Sequence, residues 1–112
     1  NLNPVGPAGA RILAGDSKLQ SLRELYLQRT GLGLEGLRPL CESGNFQELT
    51  LLSLAGNGLE DSAVDLLCHS KAFPRLITLD LYHNRISDQA VDQLKASPNL
   101  KSVRALQVDW RG

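Results

Sequence analysis

The chain has 112 residues, 42% hydrophobic and 21% charged, and its 12 Lys plus Arg are balanced by 12 Asp plus Glu. This composition describes a soluble domain with one continuous core and argues against disorder, and balanced charge leaves no positive field to hold a phosphate backbone, so nucleic acid is not expected as a partner. No apolar run is long enough to span a membrane, no signal peptide is visible, and Cys41 and Cys68 are too few for a disulfide framework, which together favour a cytoplasmic setting.

In chain order, Asn3 and Val5 read as the second half of a motif that returns in full three times. A helical stripe of Gly9, Ala10, Leu13 and Ala14 follows. Leu22, Leu25, Leu27, Thr30 and Leu32 then recur as Leu49, Leu52, Leu54, Asn57 and Leu59, and again as Leu76, Leu79, Leu81, Asn84 and Ile86, each step displaced by 27 residues. Leu79 and Leu81 around Asp80 show the period of two of a short, half-buried strand. Asn84 stands where the chain must turn, and its amide can bond the backbone of that turn and of the adjoining repeat.

Between the strands the inward helix stripes are Gly36, Leu37, Leu40 and Cys41, then Ala63, Val64, Leu67 and Cys68, then Ala90, Val91 and Leu94. The small first residue of each stripe is expected to let helix approach sheet. Ser87 or Asp88 is the expected N-cap of the last helix, and Asp61 or Ser62 that of the one before it. Pro74 and Pro98 lie beyond the helices, where they help to end them. Leu19, Phe46, Phe73 and Leu100 share a further column, and Val103, Leu106, Val108 and Arg111 begin the next copy.

The strand motif resembles the leucine-rich-repeat pattern L-x-x-L-x-L-x-x-N-x-L, which stands here as LITLDLYHNRI from Leu76 and as LLSLAGNGL after Leu49 and Thr50. The intervening segments DSAVDLLCHSKAF and SDQAVDQLKASPNL resemble the helix-bearing repeats of the ribonuclease-inhibitor-like subclass. The resemblance implies an α/β fold: a right-handed solenoid, or horseshoe, with parallel strands on the concave face and helices on the convex face. Residues 1–112 are then a single domain of about four repeats, read as a fragment of a longer array that carries further repeats or effector domains. Neighbours must stack because one repeat cannot bury its own leucines, so apolar ends and self-association are expected of this stretch alone.

Stacked strands carry the residues between the leucines outward in columns, and function is read from them. The first holds Tyr26, Ser53, Asp80 and Gln107, the second Gln28, Ala55, Tyr82 and Asp109, and the third Arg29, Gly56, His83 and Trp110. Glu24, Leu51, Thr78 and Ala105 lie outside them. Ser53, Ala55 and Gly56 are expected to floor a shallow notch between the bulky walls of Tyr26 with Arg29 and Tyr82 with His83. Tyr, Trp and Arg are enriched at interface hot spots, and both tyrosines and the tryptophan fall here. The partner-binding residues are accordingly taken as Tyr26, Gln28, Arg29, Ser53, Gly56, Asp80, Tyr82, His83, Asp109 and Trp110.

No catalytic residue, metal site or cofactor is assigned. His83, Asp80 and Asp109 read as solvated charge, because an open sheet supplies no burial to tune acid and base. Cys41 and Cys68 read as reduced, unmetallated packing residues. Gly31 and Gly33 lack phosphate-loop spacing. The expected function is a scaffold for a protein partner, not an enzyme. The alternative is a GTPase-activating or other enzyme-regulating role, of the kind seen in the similar Ran GTPase-activating proteins.

Overall fold

Four short strands alternate with four helices in the structure, a computed structural model that describes residues 5–109. In chain order these are α1 (Gly6–Gly15), β1 (Glu24–Tyr26), α2 (Gly33–Glu42), β2 (Leu51–Ser53), α3 (Asp61–His69), β3 (Thr78–Asp80), α4 (Asp88–Ala96) and β4 (Ala105–Gln107). The strands form one parallel sheet in the order β1-β2-β3-β4. Leu25 pairs with Leu52, Leu52 with Leu79 and Leu79 with Leu106, which is the 27-residue displacement of the sequence repeat made physical. Asn3, Trp110 and Arg111 lie outside the described residues.

The core lies between sheet and helices. Leu52, Leu54, Leu79 and Leu81 from the strand motifs meet Leu37, Leu40, Val64, Leu67 and Leu94 from the helices, all essentially without solvent contact. Phe46 and Phe73, one repeat apart, stack with ring centroids 6.1 Å apart at 23°. Between strand leucines the chain returns to solvent, as the exposed Glu24 and Tyr26 around buried Leu25 show.

Helix starts differ from one another. Ser87 caps α4 as expected, its hydroxyl accepting from the Ala90 N–H at 3.1 Å. Neither Asp61 nor Ser62 caps α3: Glu60 occupies that position, without a side-chain bond. The Asp61 carboxylate instead reaches forward one repeat to accept from Ser87 N–H at 2.9 Å and Ser87 Oγ at 2.6 Å, so it holds together two helix starts. The small helix column also acts differently from expectation. A Cβ on Gly36 would stand 2.7 Å from Leu32 Cδ1 and 3.4 Å from the Pro7 backbone, so the space is taken by the preceding turn and the neighbouring helix. Pro39 lies inside α2, which continues to Glu42 around the missing N–H.

Two side-chain ladders join the repeats. In the first, Asn57 Oδ1 accepts from the N–H groups of Thr30 and Leu32, both at 3.1 Å, while Nδ2 donates to the carbonyls of Leu27, Leu54 and Ala55. Asn84 repeats this one level on, accepting from Asn57 and Leu59 N–H and donating to Leu54, Leu81 and Tyr82 carbonyls. Thr30 substitutes a hydroxyl that donates to Leu27 O. The second ladder closes the other helix ends: the hydroxyls of Ser43, Ser70 and Ser97 donate to the carbonyls of Ala14, Cys41 and Cys68 in the preceding repeat. These carbonyls belong to last helical turns, whose acceptors have no partner within their own helix.

Cys41 and Cys68 are free thiols. Burial pushes the Cys41 thiol up to about 12 and raises Cys68 as well, though Cys68 is only half-buried. Because the thiolate is the reactive form, Cys68 should alkylate first at pH 8 and Cys41 at least about tenfold more slowly in the folded chain. Peptide mapping of a timed iodoacetamide reaction checks this, and equal rates would contradict it. With its folded pKa raised, Cys41 contributes stability that is present below pH 9 and is lost as pH rises towards 12.

Candidate protein-binding surface

The ladder of backbone bonds runs on past the strands. Leu27 N–H donates to Ser53 O, Leu54 N–H to Asp80 O and Leu81 N–H to Gln107 O; Arg29 N–H to Ala55 O and Gly56 N–H to Tyr82 O follow. The columns after the strands therefore keep the interstrand spacing of about 4.8 Å. Side chains on the sheet face away from the helices stand in register.

Tyr26, Gln28, Arg29, Tyr82 and His83 are exposed there, Tyr26 at 54% and Tyr82 at 40%, which is high for large rings. Tyr26 Oη donates to Glu24 Oε1 at 3.1 Å, and this bond to the carboxylate raises the phenol's pKa. Asp80 and Asp109 are half-buried and shape the turn: Asp80 Oδ1 accepts from Tyr82 N–H at 3.1 Å, and Asp109 Oδ2 accepts from His83 N–H at 3.0 Å. His83 Nδ1 stands 3.9 Å from Asp109 Oδ1, and the Tyr82 and His83 rings are 6.2 Å apart. Tyr82, His83 and Asp109 thus form one group. Trp110, expected beside them, lies outside the described residues.

The expected notch takes a different form. Ser53 is only 1% exposed and donates to Asp80 Oδ2 at 2.8 Å, so it orients Asp80 instead of meeting solvent. Ala55 is buried as well. Over Gly56 lies the stem of Arg29, whose Cγ would stand 2.9 Å from a Cβ there. What the sequence suggests as an open floor is covered from below by the Ser53–Asp80 bond and from the side by Arg29. A bulky residue at Gly56 would be strained at its φ of +68° besides colliding with Arg29.

Arg29 and His83, flanking Gly56 in this column, have φ of 53° and 60°. The left-handed region costs an ordinary L-residue roughly 1–2 kcal/mol and a glycine almost nothing. Side chains kept at strained positions point to a use beyond stability. His83→Gly is expected to leave stability unchanged or raise it by up to about 1 kcal/mol, since the backbone bond to Asp109 is retained. Thermal unfolding checks this, and a fall in stability of similar size would show that the imidazole holds the turn.

Charges of both signs flank the strands. Where helices end and strands begin, Lys71, Arg75, Lys101 and Arg104 are exposed, as are Glu24 and Glu42, and Glu48 is bonded to Arg75 at 2.9 and 3.0 Å. Where strands end and helices begin, Glu60, Asp61 and Asp88 are exposed together with Arg85. Among the described residues no group of three His, Cys, Asp or Glu side chains is placed to hold a metal ion, and no helix is long and apolar enough to cross a membrane. Among the residues missed by the sequence reading, the serine ladder has a signal, the 27-residue column of Ser43, Ser70 and Ser97, whereas Lys71, Arg75, Lys101 and Arg104 stand in four different columns and have none.

Residues 18–41 match the family model described as leucine-rich repeat. No curated protein sequence matches the chain. In structure it is similar to the C-terminal domain of tropomodulin from Caenorhabditis elegans, with a TM-score of 0.72 and 19% identity over 92% of this chain. The chain spans 64% of the length of that solved structure, and at this identity the likeness is one of fold. The matched repeat and the shared fold together support a leucine-rich-repeat family.

Proposed function

We propose that this leucine-rich-repeat chain is a protein-binding scaffold that takes its partner on the concave face of a right-handed horseshoe of about four repeats. In this reading it is a single domain within a longer cytoplasmic array, in the manner of the ribonuclease-inhibitor-like subclass, and has no enzymatic activity of its own. The observation that carries the proposal is the row of exposed Tyr26, Arg29, Tyr82 and His83 on one sheet face, two of them held in left-handed backbone. Large amphipathic side chains on a rigid support lose little entropy on binding and supply most hot-spot energy. Asp80, Asp109 and Gln28 complete the polar surround, while Ser53 and Gly56 shape it from beneath.

Photo-crosslinking tests the face directly. A benzophenone side chain placed at Gln28 should capture the partner, and the same group at Gln93 on α4 should not. Capture from Gln93 with none from Gln28 would move the interface to the helices.

A further inference from the structure

Asn57 is followed by a glycine, whereas Phe46, Arg85 and Leu100 follow Asn45, Asn84 and Asn99. Both members of the pair are required by the fold, for separate reasons. Asn57 is buried in the ladder, where Oδ1 accepts from Thr30 and Leu32 N–H at 3.1 Å and Nδ2 donates to Leu27 O at 2.7 Å and Leu54 O at 3.1 Å. Gly58 has a φ of +67°, left-handed backbone that a side chain would strain. One repeat earlier Gly31 has a φ of +68° but follows Thr30. One repeat later Asn84 makes the same kinds of bond but precedes Arg85. Among the described residues the two requirements coincide at the level of Asn57 alone.

We infer that Asn57 and Gly58 form a self-modification site, at which an opened chain converts its own side-chain amide to an acid and so loses the ability to close the ladder. Gly58 N, its proton taken by base, attacks Asn57 Cγ. The Cγ–Nδ2 bond breaks, ammonia leaves with a proton returned from solvent, and a succinimide ring remains. Water opens that ring at either carbonyl, giving aspartate or, with the backbone routed through the side-chain carboxyl, isoaspartate. Glycine favours the ring because no Cβ crowds the attacking nitrogen. In the folded chain the amide is held through both its oxygen and its nitrogen, so the turn must open before attack. Neither product fits back into the ladder. An aspartate oxygen in the place of Nδ2 would stand 2.7 Å from Leu27 O and 3.1 Å from Leu54 O, with a charge added to a buried site. Isoaspartate lengthens the backbone by one carbon just ahead of Leu59, which is 1% exposed and donates its N–H to Asn84 Oδ1.

Peptide mapping by mass spectrometry of the protein held at neutral pH, folded and in urea, reads each asparagine separately. In urea Asn57 should convert at least about tenfold faster than Asn84, which lacks the following glycine. Folding should slow Asn57 at least about tenfold, since conversion then waits on opening of the turn. Gly58→Ala, compared with the natural chain in urea, where strain in the folded turn has no effect, should remove most of the excess over Asn84. Returned from urea, chains modified at Asn57 should be cut by protease within residues that unmodified chains protect. Equal rates at Asn57 and Asn84 in urea, equal rates at Asn57 in folded and unfolded protein, an unchanged rate in Gly58→Ala, or full protection of modified chains would overturn the proposal.

Discussion

Asn57→Ala should lower the free energy of unfolding by about 3 kcal/mol, because an unpaired buried polar group costs about 1–3 kcal/mol and this change orphans more than one. Asn57 is 6% exposed, and its amide is the acceptor for Thr30 and Leu32 N–H and a donor to Leu54 O. An alanine methyl replaces none of these bonds, and the site is too enclosed for bulk water to do so freely. Leu27 O is less affected, since Thr30 Oγ1 also donates to it. Asn84→Ala should behave similarly through Asn57 and Leu59 N–H. The two side chains share the Asn57 peptide unit, so the double variant should cost less than the two effects added. Urea denaturation with unchanged slopes and lowered midpoints is the expected result; midpoints equal to that of the natural chain would remove the ladder from the account.

Phe46→Ala should cost about 3–5 kcal/mol, the range for emptying an aromatic site in a packed core. Phe46 is fully buried and Phe73, its stacking partner, is 1% exposed. These rings fill the space between successive repeats, so their loss weakens an interface as well as a single layer. Ile77→Ala, at a position 46% exposed, provides the contrast and should shift stability by less than about 0.5 kcal/mol. Similar losses for both would mean that the phenylalanine column does not bear the stacking.

The repeat was legible because its physical demands are local and recur at one spacing. Leucines at period two, an asparagine at the turn and an apolar helix stripe each have a single plausible partner once neighbours stack, and the parallel register follows from them. Ser53 shows where such reading stops. By alternation it faces outward, and it does lie on the outer face of the sheet, but Asp80 one repeat away accepts its hydroxyl and encloses it. Arg29 over Gly56 is the same kind of case, since the direction of a long side chain is set by what the adjoining repeat leaves empty. Asp61 reads as an N-cap from the sequence but stands as the first residue of α3, and Ser87 in the next repeat offers it both an N–H and a hydroxyl. Each difference is a contact across 26 or 27 residues, which a pattern within one repeat does not contain.

The central claim is that the partner is bound by the sheet face turned away from the helices, and the affinity of a captured partner for two single variants tests it most directly. Tyr82→Ala removes an exposed ring without touching the core and should weaken binding by about 2 kcal/mol or more, roughly 30-fold, as expected of an anchor near an interface centre. Gln93→Ala, on the exposed side of α4, should leave affinity unchanged. Full affinity in Tyr82→Ala together with a loss in Gln93→Ala would contradict the account and place the interface on the helices.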